Sequence, residues 1–276
     1  MDDKRERWAI ILGASSGFGA AAGRSLAGAG YPIIGVHLDL RGTIANAQQV
    51  RDEIAAKGVP VVFHNVNAAD EEKRHGVIAA TKEFFDARRA EGKDPFVCVV
   101  LHSLAFGTTL SYIANEPDAK EVSQKQLEMT ADVMAHSLIY WVRDLFHAGL
   151  LGNGSRIFAM TSEGSTRAVP TYGPVSAAKA ALESHVRQLA IELIPHGITV
   201  NAIRAGVTDT PALRRIPGHE ELRRVAESRN PGGRLTRPED VGDALIALAS
   251  PHLYWMTGNV IGVDGGEATG SRREGA

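Results

Sequence analysis

Tyr172 and Lys179 stand seven residues apart, and Ser162 lies ten residues before the tyrosine. Seven residues are two helical turns, so if the helix that starts near Pro174 is extended backwards, both side chains lie on one face and can reach one reactant. A phenol titrates near pH 10 when unperturbed, about three units too high for easy proton exchange at neutral pH. A nearby ammonium favours the phenolate and lowers that value, which makes Lys179 the candidate for an electrostatic role beside an acid/base tyrosine. Ser162 is placed to support the tyrosine or a substrate. Taken singly, Lys179 also reads as a solvated helix-face lysine and Tyr172 as a packed aromatic; the constellation is what points to chemistry.

A second chemical element lies near the amino end, where Gly13-Ala14-Ser15-Ser16-Gly17-Phe18-Gly19 has the pattern G-x-x-x-G-x-G. It follows an apolar strand and opens a helix. Glycines there let the chain turn sharply and bring backbone N–H groups to a pyrophosphate at the helix amino terminus. A turn with tight helix-to-strand contact would use the same residues, but the placement at the start of an α/β sheet favours a dinucleotide. The next strand ends Val36-His37-Leu38-Asp39-Leu40-Arg41. An acid at this point bonds the ribose hydroxyls of NAD, whereas a base accommodates the 2′-phosphate of NADP. Because Arg41 can swing to a phosphate, NADP(H) is favoured over NAD(H); the alternative is that Asp39 and Arg41 cap the next helix or pair with each other.

These groups need a scaffold, and the chain supplies one by alternation. Short β-branched runs at 9–12, 32–38, 60–66, 96–101, 156–160, 199–203 and 260–263 alternate with stretches at 18–29, 44–57, 72–89, 126–146 and 174–194 whose apolar residues recur at helical spacing. Apolar strands joined by crossover helices predict an α/β fold, a doubly wound parallel sheet of about seven strands with helices on both faces. Residues 1–276 read as one domain, with 267–276 as a mobile tail. Two connections, 107–125 and 211–237, lie beyond carboxyl ends of strands and are candidate substrate covers.

Composition narrows the function further. The 276 residues carry a formal charge of -2, 44% are apolar and 22% charged, which excludes a disordered, collagenous or coiled-coil chain. Near-neutral charge argues against nucleic acid as a partner, and the lack of an 18-residue apolar run argues against a membrane span. The amino terminus mixes both charge signs and makes a poor signal peptide. Cys98 is the only cysteine, so no internal disulfide can form and a cytoplasmic setting is expected. His102 and His136 lack metal-ligand spacing, so no metal is expected. Glu163 could contact substrate or face solvent.

With the glycine loop, Asn65-Val66, Ser162-Tyr172-Lys179, Val200-Asn201-Ala202 and Val263-Asp264-Gly265-Gly266 in this order, the chain resembles the short-chain dehydrogenase/reductase family from Trp8 to about Gly266. The resemblance implies a Rossmann-type sheet, a nicotinamide cofactor, a Tyr-Lys site, and dimers or tetramers packed through the helices near 126–146 and 174–194. Three departures look like the enoyl-acyl-carrier-protein reductase branch. Val175 stands four before the lysine where most members have the tyrosine; Leu101-His102-Ser103-Leu104-Ala105-Phe106 replaces Asn-Asn-Ala-Gly; and Ala205-Gly206 replaces Pro-Gly. The ordinary glycine loop and Ser162, in place of a second tyrosine, are similar to the smaller NADPH-using variety of that branch. Met134 falls where many carbonyl-reducing members have an asparagine.

The resemblance implies reduction of a 2-enoyl thioester, carried on acyl carrier protein or another thiol. Tyr172 is then expected to donate to the thioester oxygen and Lys179 to hold the nicotinamide ribose. Gly13, Ser15, Ser16, Gly17, Phe18, Gly19, His37, Asp39, Arg41, Asn65, Val66, Ser103, Leu104, Ala105, Ala205, Gly206, Thr208 and Thr210 are expected along the cofactor, with Thr210 and the backbone near Thr208 at the carboxamide. The alternatives are a carbonyl or alcohol dehydrogenase of the same family, and a nucleotide-binding sensor without turnover.

Overall fold

The computed structural model describes residues 5–115 and 119–270. The elements run β1 (Arg5–Leu12), α1 (Gly17–Gly28), β2 (Ile33–His37), α2 (Ile44–Ala55), β3 (Val61–Asn65), α3 (Glu71–Ala90), β4 (Asp94–His102), α4 (Gln124–Ala131), α5 (Ser137–His147), β5 (Arg156–Thr161), α6 (Gly173–Leu193), β6 (Thr199–Ala205), α7 (His219–Arg229), α8 (Pro238–Leu248) and β7 (Val260–Val263). The strands form one seven-stranded sheet in the order β3-β2-β1-β4-β5-β6-β7, with every neighbouring pair parallel. This is the expected doubly wound arrangement.

Side-chain alternation on β1 shows why the middle of each central strand is largely apolar. Trp8, Ile10 and Leu12 enter a core with residues of α3, α5 and α6, while Ala9 and Ile11 enter a second core with residues of α1, α2 and α8. Both faces are covered, so from Trp8 to Leu12 both sets of alternating residues are apolar. The strand order reverses on either side of β1, and the loops after β1 and β4 diverge there to leave a crevice at the carboxyl ends, the usual ligand position in open α/β sheets.

The structure departs from the sequence-based expectations in three places. β1 starts at Arg5, four residues early, because Arg5 to Trp8 pair with Asp94 to Val97 of β4. The helix expected over 126–146 is broken: α4 and α5 are joined by a π-turn at Asp132–His136. Segment 211–237 is partly helical, as its charged pattern suggests, with a short turn at Leu213–Arg215 and α7. Finally, the tail expected from 267 does not start there. The Val207 N–H donates to both carboxylate oxygens of Glu267, at 3.2 and 3.1 Å, because the chain folds back under the loop that follows β6. Residues 271–276 lie outside the described residues. Among the described residues no helix is long and apolar enough to cross a membrane, and no group of three His, Cys, Asp or Glu could hold a metal.

Candidate active site

After β1 the backbone reverses at Gly13, whose φ of +91° suits glycine alone, and the Gly13 and Ala14 N–H groups both donate to the Val36 carbonyl, at 2.8 and 3.1 Å. There is no room for side chains. A Cβ on Gly13 would stand 2.5 Å from the Ser103 carbonyl oxygen, and one on Gly19 would stand 2.1 Å from that of Gly13. The first internal bond of α1 runs from Ala20 N–H to the Ser16 carbonyl, no side chain caps the helix, and its first turn carries no acid. An uncapped, positively polarised helix end behind a glycine turn fits a pyrophosphate. Thr210, buried on the loop after β6, reaches to 3.6 Å from the position a Gly17 Cβ would take.

At the end of β2, His37 is buried with its ring against Phe63, and its Nδ1 lies 2.8 Å from the Asp39 carboxylate. Burial pushes the Asp39 carboxyl up, but the polar groups of Thr43, Ser15 and His37 outweigh it and hold the acid below its ordinary value. The Asn65 amide is also committed: it accepts from Asp39 N–H and donates to the Asp39 carbonyl, both at 2.9 Å, while Val66 N–H donates to the His37 carbonyl at 2.7 Å. Asn65 and Val66 therefore shape the turn that carries Asp39. Asp39 pairs with His37 and not with Arg41, which is exposed and has no hydrogen bond or ion pair among the described residues.

β5 delivers Ser162 to the crevice, and the chain reaches Tyr172 through Thr171, held at φ +62° with its hydroxyl buried and unpartnered. A β-branched residue there is strained. Tyr172 sits immediately before α6. A Cβ on Gly164 would lie 2.7 Å from the Tyr172 ring and 3.3 Å from Ser162 Oγ, so phenol and serine pack around one small residue. Ser162 Oγ is buried without a hydrogen-bond partner among the described residues. Burial raises the Tyr172 phenol above its ordinary value, with only Ser162 pulling the other way.

Lys179, on α6, is enclosed and donates to the Met160 carbonyl at 2.7 Å. Burial brings its ammonium down to about 8, against the opposing pull of Glu183, whose carboxylate accepts from Thr161 Oγ1 at 2.7 Å. The lowered phenol expected from Lys179 is thus corrected: dehydration dominates the tyrosine, and the ammonium is engaged by a carbonyl. In this state Tyr172 is a neutral hydrogen-bond donor.

Met134, in the π-turn, and Val175, on α6, are both buried against the loop that leaves β4. A Cβ on Gly107 would stand 2.7 Å from Met134 Sδ and 3.2 Å from Val175 Cγ2. The two positions where the resemblance expects polar groups therefore form a dry floor. Beyond it the loop carries exposed Phe106, Tyr112 and Ile113, with the Tyr112 ring lying on Gly173 beside Tyr172. Of the remaining expected cofactor residues, Ser103 N–H donates to the Leu12 carbonyl at 2.9 Å, Leu104 packs on the core, and Ala105 is exposed. Ala205 closes β6, and Thr208 Oγ1 donates to the Gly206 carbonyl at 2.9 Å.

Other polar residues find structural partners. His102 is fully buried with Nε2 2.8 Å from Ser137 Oγ, and burial, with the Lys179 charge adding, lowers it to about 3. His136 Nδ1 meets His185 Nε2 at 3.0 Å, and Glu163 pairs with Arg167 at 2.7 Å. Sequence reasoning missed Glu183 and Glu267 as parts of the site; only helical spacing, one turn beyond Lys179, could have signalled the first.

The fold and this site define a dinucleotide-binding oxidoreductase of the short-chain dehydrogenase/reductase type. A family described as enoyl-(acyl carrier protein) reductase matches residues 13–267, and the chain belongs to it. An NADH-dependent enoyl-[acyl-carrier-protein] reductase from Aquifex aeolicus is 33% identical over 168 residues, which span 61% of each chain. A short-chain dehydrogenase/reductase from Pestalotiopsis microspora is 28% identical over 269 residues, 94% of each. Among solved structures, the Aquifex aeolicus enoyl reductase superposes with a TM-score of 0.79 at 25% identity, covering 96% of this chain and 98% of that one. The family uses NAD(H) or NADP(H).

Proposed function

We propose that this chain reduces the 2,3 double bond of an enoyl thioester. The reading is carried by a half-buried Tyr172 phenol that desolvation raises, together with buried, apolar Met134 and Val175 at the positions where the resemblance expects polar groups. When a carbon–carbon double bond conjugated to a thioester is reduced, charge appears on the thioester oxygen as an enolate, and a preorganised donor aimed at that oxygen lowers the barrier. A protonated phenol does this as it stands; it would serve equally as proton donor in carbonyl reduction, so the preference for an enoyl substrate rests on Met134 and Val175 standing where the resemblance expects polar groups.

In this proposal the residues take the following roles. Tyr172 donates to the enolate oxygen, Ser162 supports the phenol, and Lys179 is held on the Met160 carbonyl within reach of a cofactor ribose. The glycine loop binds the pyrophosphate, Asn65 and Val66 shape the adenosine side, and Thr208 and Thr210 hold the carboxamide loop. When bound, the reduced nicotinamide supplies the hydride. Unpaired Arg41 beside an acid already taken by His37 supports NADP(H) over NAD(H). The named activity of the Aquifex relative supports acyl carrier protein as the thiol carrier. A cytoplasmic dimer or tetramer packed through α4, α5 and α6 completes the proposal.

Substrate comparison tests it. Oxidation of NADPH with a crotonyl thioester, and none with a 3-ketoacyl thioester, supports enoyl reduction. The reverse pattern assigns carbonyl chemistry, and cofactor binding without turnover on either assigns a sensor.

A further inference from the structure

Residue 267 lies beyond the last strand, yet its carboxylate is built into the underside of the loop after β6. Three segments meet there. The Val207 N–H donates to both oxygens of Glu267, at 3.2 and 3.1 Å, and the Asn230 amide, 1% exposed at the end of α7, donates to Glu267 Oε2 at 3.3 Å and to the Asp264 carbonyl at 2.9 Å. Asn230 Oδ1 in turn accepts from Gly232 N–H at 2.8 Å. The contact is close enough to dictate the loop sequence: a Cβ on Gly206 would stand 2.4 Å from Thr236 Oγ1 and 2.8 Å from Glu267 Oε2. The next residues of that loop are Thr208 and Thr210, assigned above to the carboxamide end of the cofactor.

We infer that Glu267 is a positioning residue for nicotinamide, a carboxylate that fixes the Gly206–Thr210 loop through the Val207 N–H. The inference rests on the reading of that loop as the carboxamide-holding one. A backbone donor bonded to both oxygens of a carboxylate is oriented, and the Asn230 amide keeps that carboxylate from rotating away. Among the described residues the glycine loop and the β2 end share no hydrogen bond with Glu267 or Asn230; the Gly206–Thr210 loop approaches the adenosine half only at its far end, where Thr210 lies 3.6 Å from the position of a Gly17 Cβ.

The test separates the two halves of the dinucleotide. Binding of NADPH and of 2′-phospho-ADP-ribose, which lacks nicotinamide, is measured by calorimetry for wild type, Glu267→Ala and Glu267→Gln, with NADH and ADP-ribose run in parallel. Glu267→Ala should weaken the full dinucleotide about tenfold, the size expected when a backbone N–H loses a charged acceptor, and leave the nicotinamide-free probe within about twofold. Glu267→Gln, which keeps an acceptor oxygen, should recover most of the loss. Equal weakening of both probes, or none, overturns the inference, since the first marks a general structural role and the second no role. Wild type that binds the nicotinamide-free probe as tightly as the full dinucleotide overturns the assignment of the loop itself, and failure of wild type to bind either dinucleotide overturns the cofactor reading beneath it.

Discussion

Burial raises the Tyr172 phenol, and the Lys179 ammonium, drawn down to about 8, is bonded to the Met160 carbonyl, so at neutral pH the site holds a protonated phenol and a protonated amine. Removing the donor alone should be costly: Tyr172→Phe is expected to cut turnover of the enoyl thioester by about 10²-fold or more with cofactor binding intact, measured by steady-state kinetics and calorimetry. If the ammonium is required, kcat/KM should fall on the alkaline side with an apparent pKa near 8, because that ratio reports the free enzyme. Glu183 opposes the effect of burial on Lys179, so Glu183→Gln should move the alkaline limb to lower pH; a limb that stays in place would separate Lys179 from the rate. At the adenosine end, Arg41→Ala should lower kcat/KM for NADPH by about tenfold and leave that for NADH unchanged, as expected of one exposed charge facing a 2′-phosphate.

Between elements, His102 ties the end of β4 to the start of α5 through Ser137, whose hydroxyl also donates to the Val133 carbonyl at 2.8 Å across the π-turn. The imidazole is fully buried and titrates near 3, well below the 6.5 of an unfolded chain. As pH falls below about 6.5 the unfolded chain takes up a proton that the folded chain refuses, so stability is lost from there downward to about 3, on the order of 4 kcal/mol in all. His102→Gln cannot take that proton. It should be less stable than wild type at neutral pH, yet lose less between pH 6.5 and 3, as read from urea denaturation at stepped pH. The π-turn itself answers to the same junction, placing Met134 against Gly107 at the root of the loop that covers the crevice.

For the molecule as a whole, the crevice joins the loops after β1, β4, β5 and β6, so a dinucleotide would bridge elements distant in sequence and favour the folded state by mass action. At a hundred times its Kd, NADPH should add about 2.7 kcal/mol and raise Tm by roughly 5 °C, measurable by calorimetry; an unchanged Tm at saturation would count against the cradle. The sheet was legible in the sequence because each strand is a short apolar run bounded by turn residues, and both its faces are covered by helices with the matching period. The glycine loop and the Tyr172 to Lys179 spacing were legible for a similar reason, since turn geometry and helical pitch are local. The start of β1, the π-turn, the His102–Ser137 tie and the grip of Glu267 on Val207 were not. Local pattern determined which elements form and which residues come to the crevice. The tertiary structure alone decided the dehydration that raises the Tyr172 phenol and the place of Glu267, because these depend on packing and hydrogen bonding between side chains brought together from up to 60 residues away.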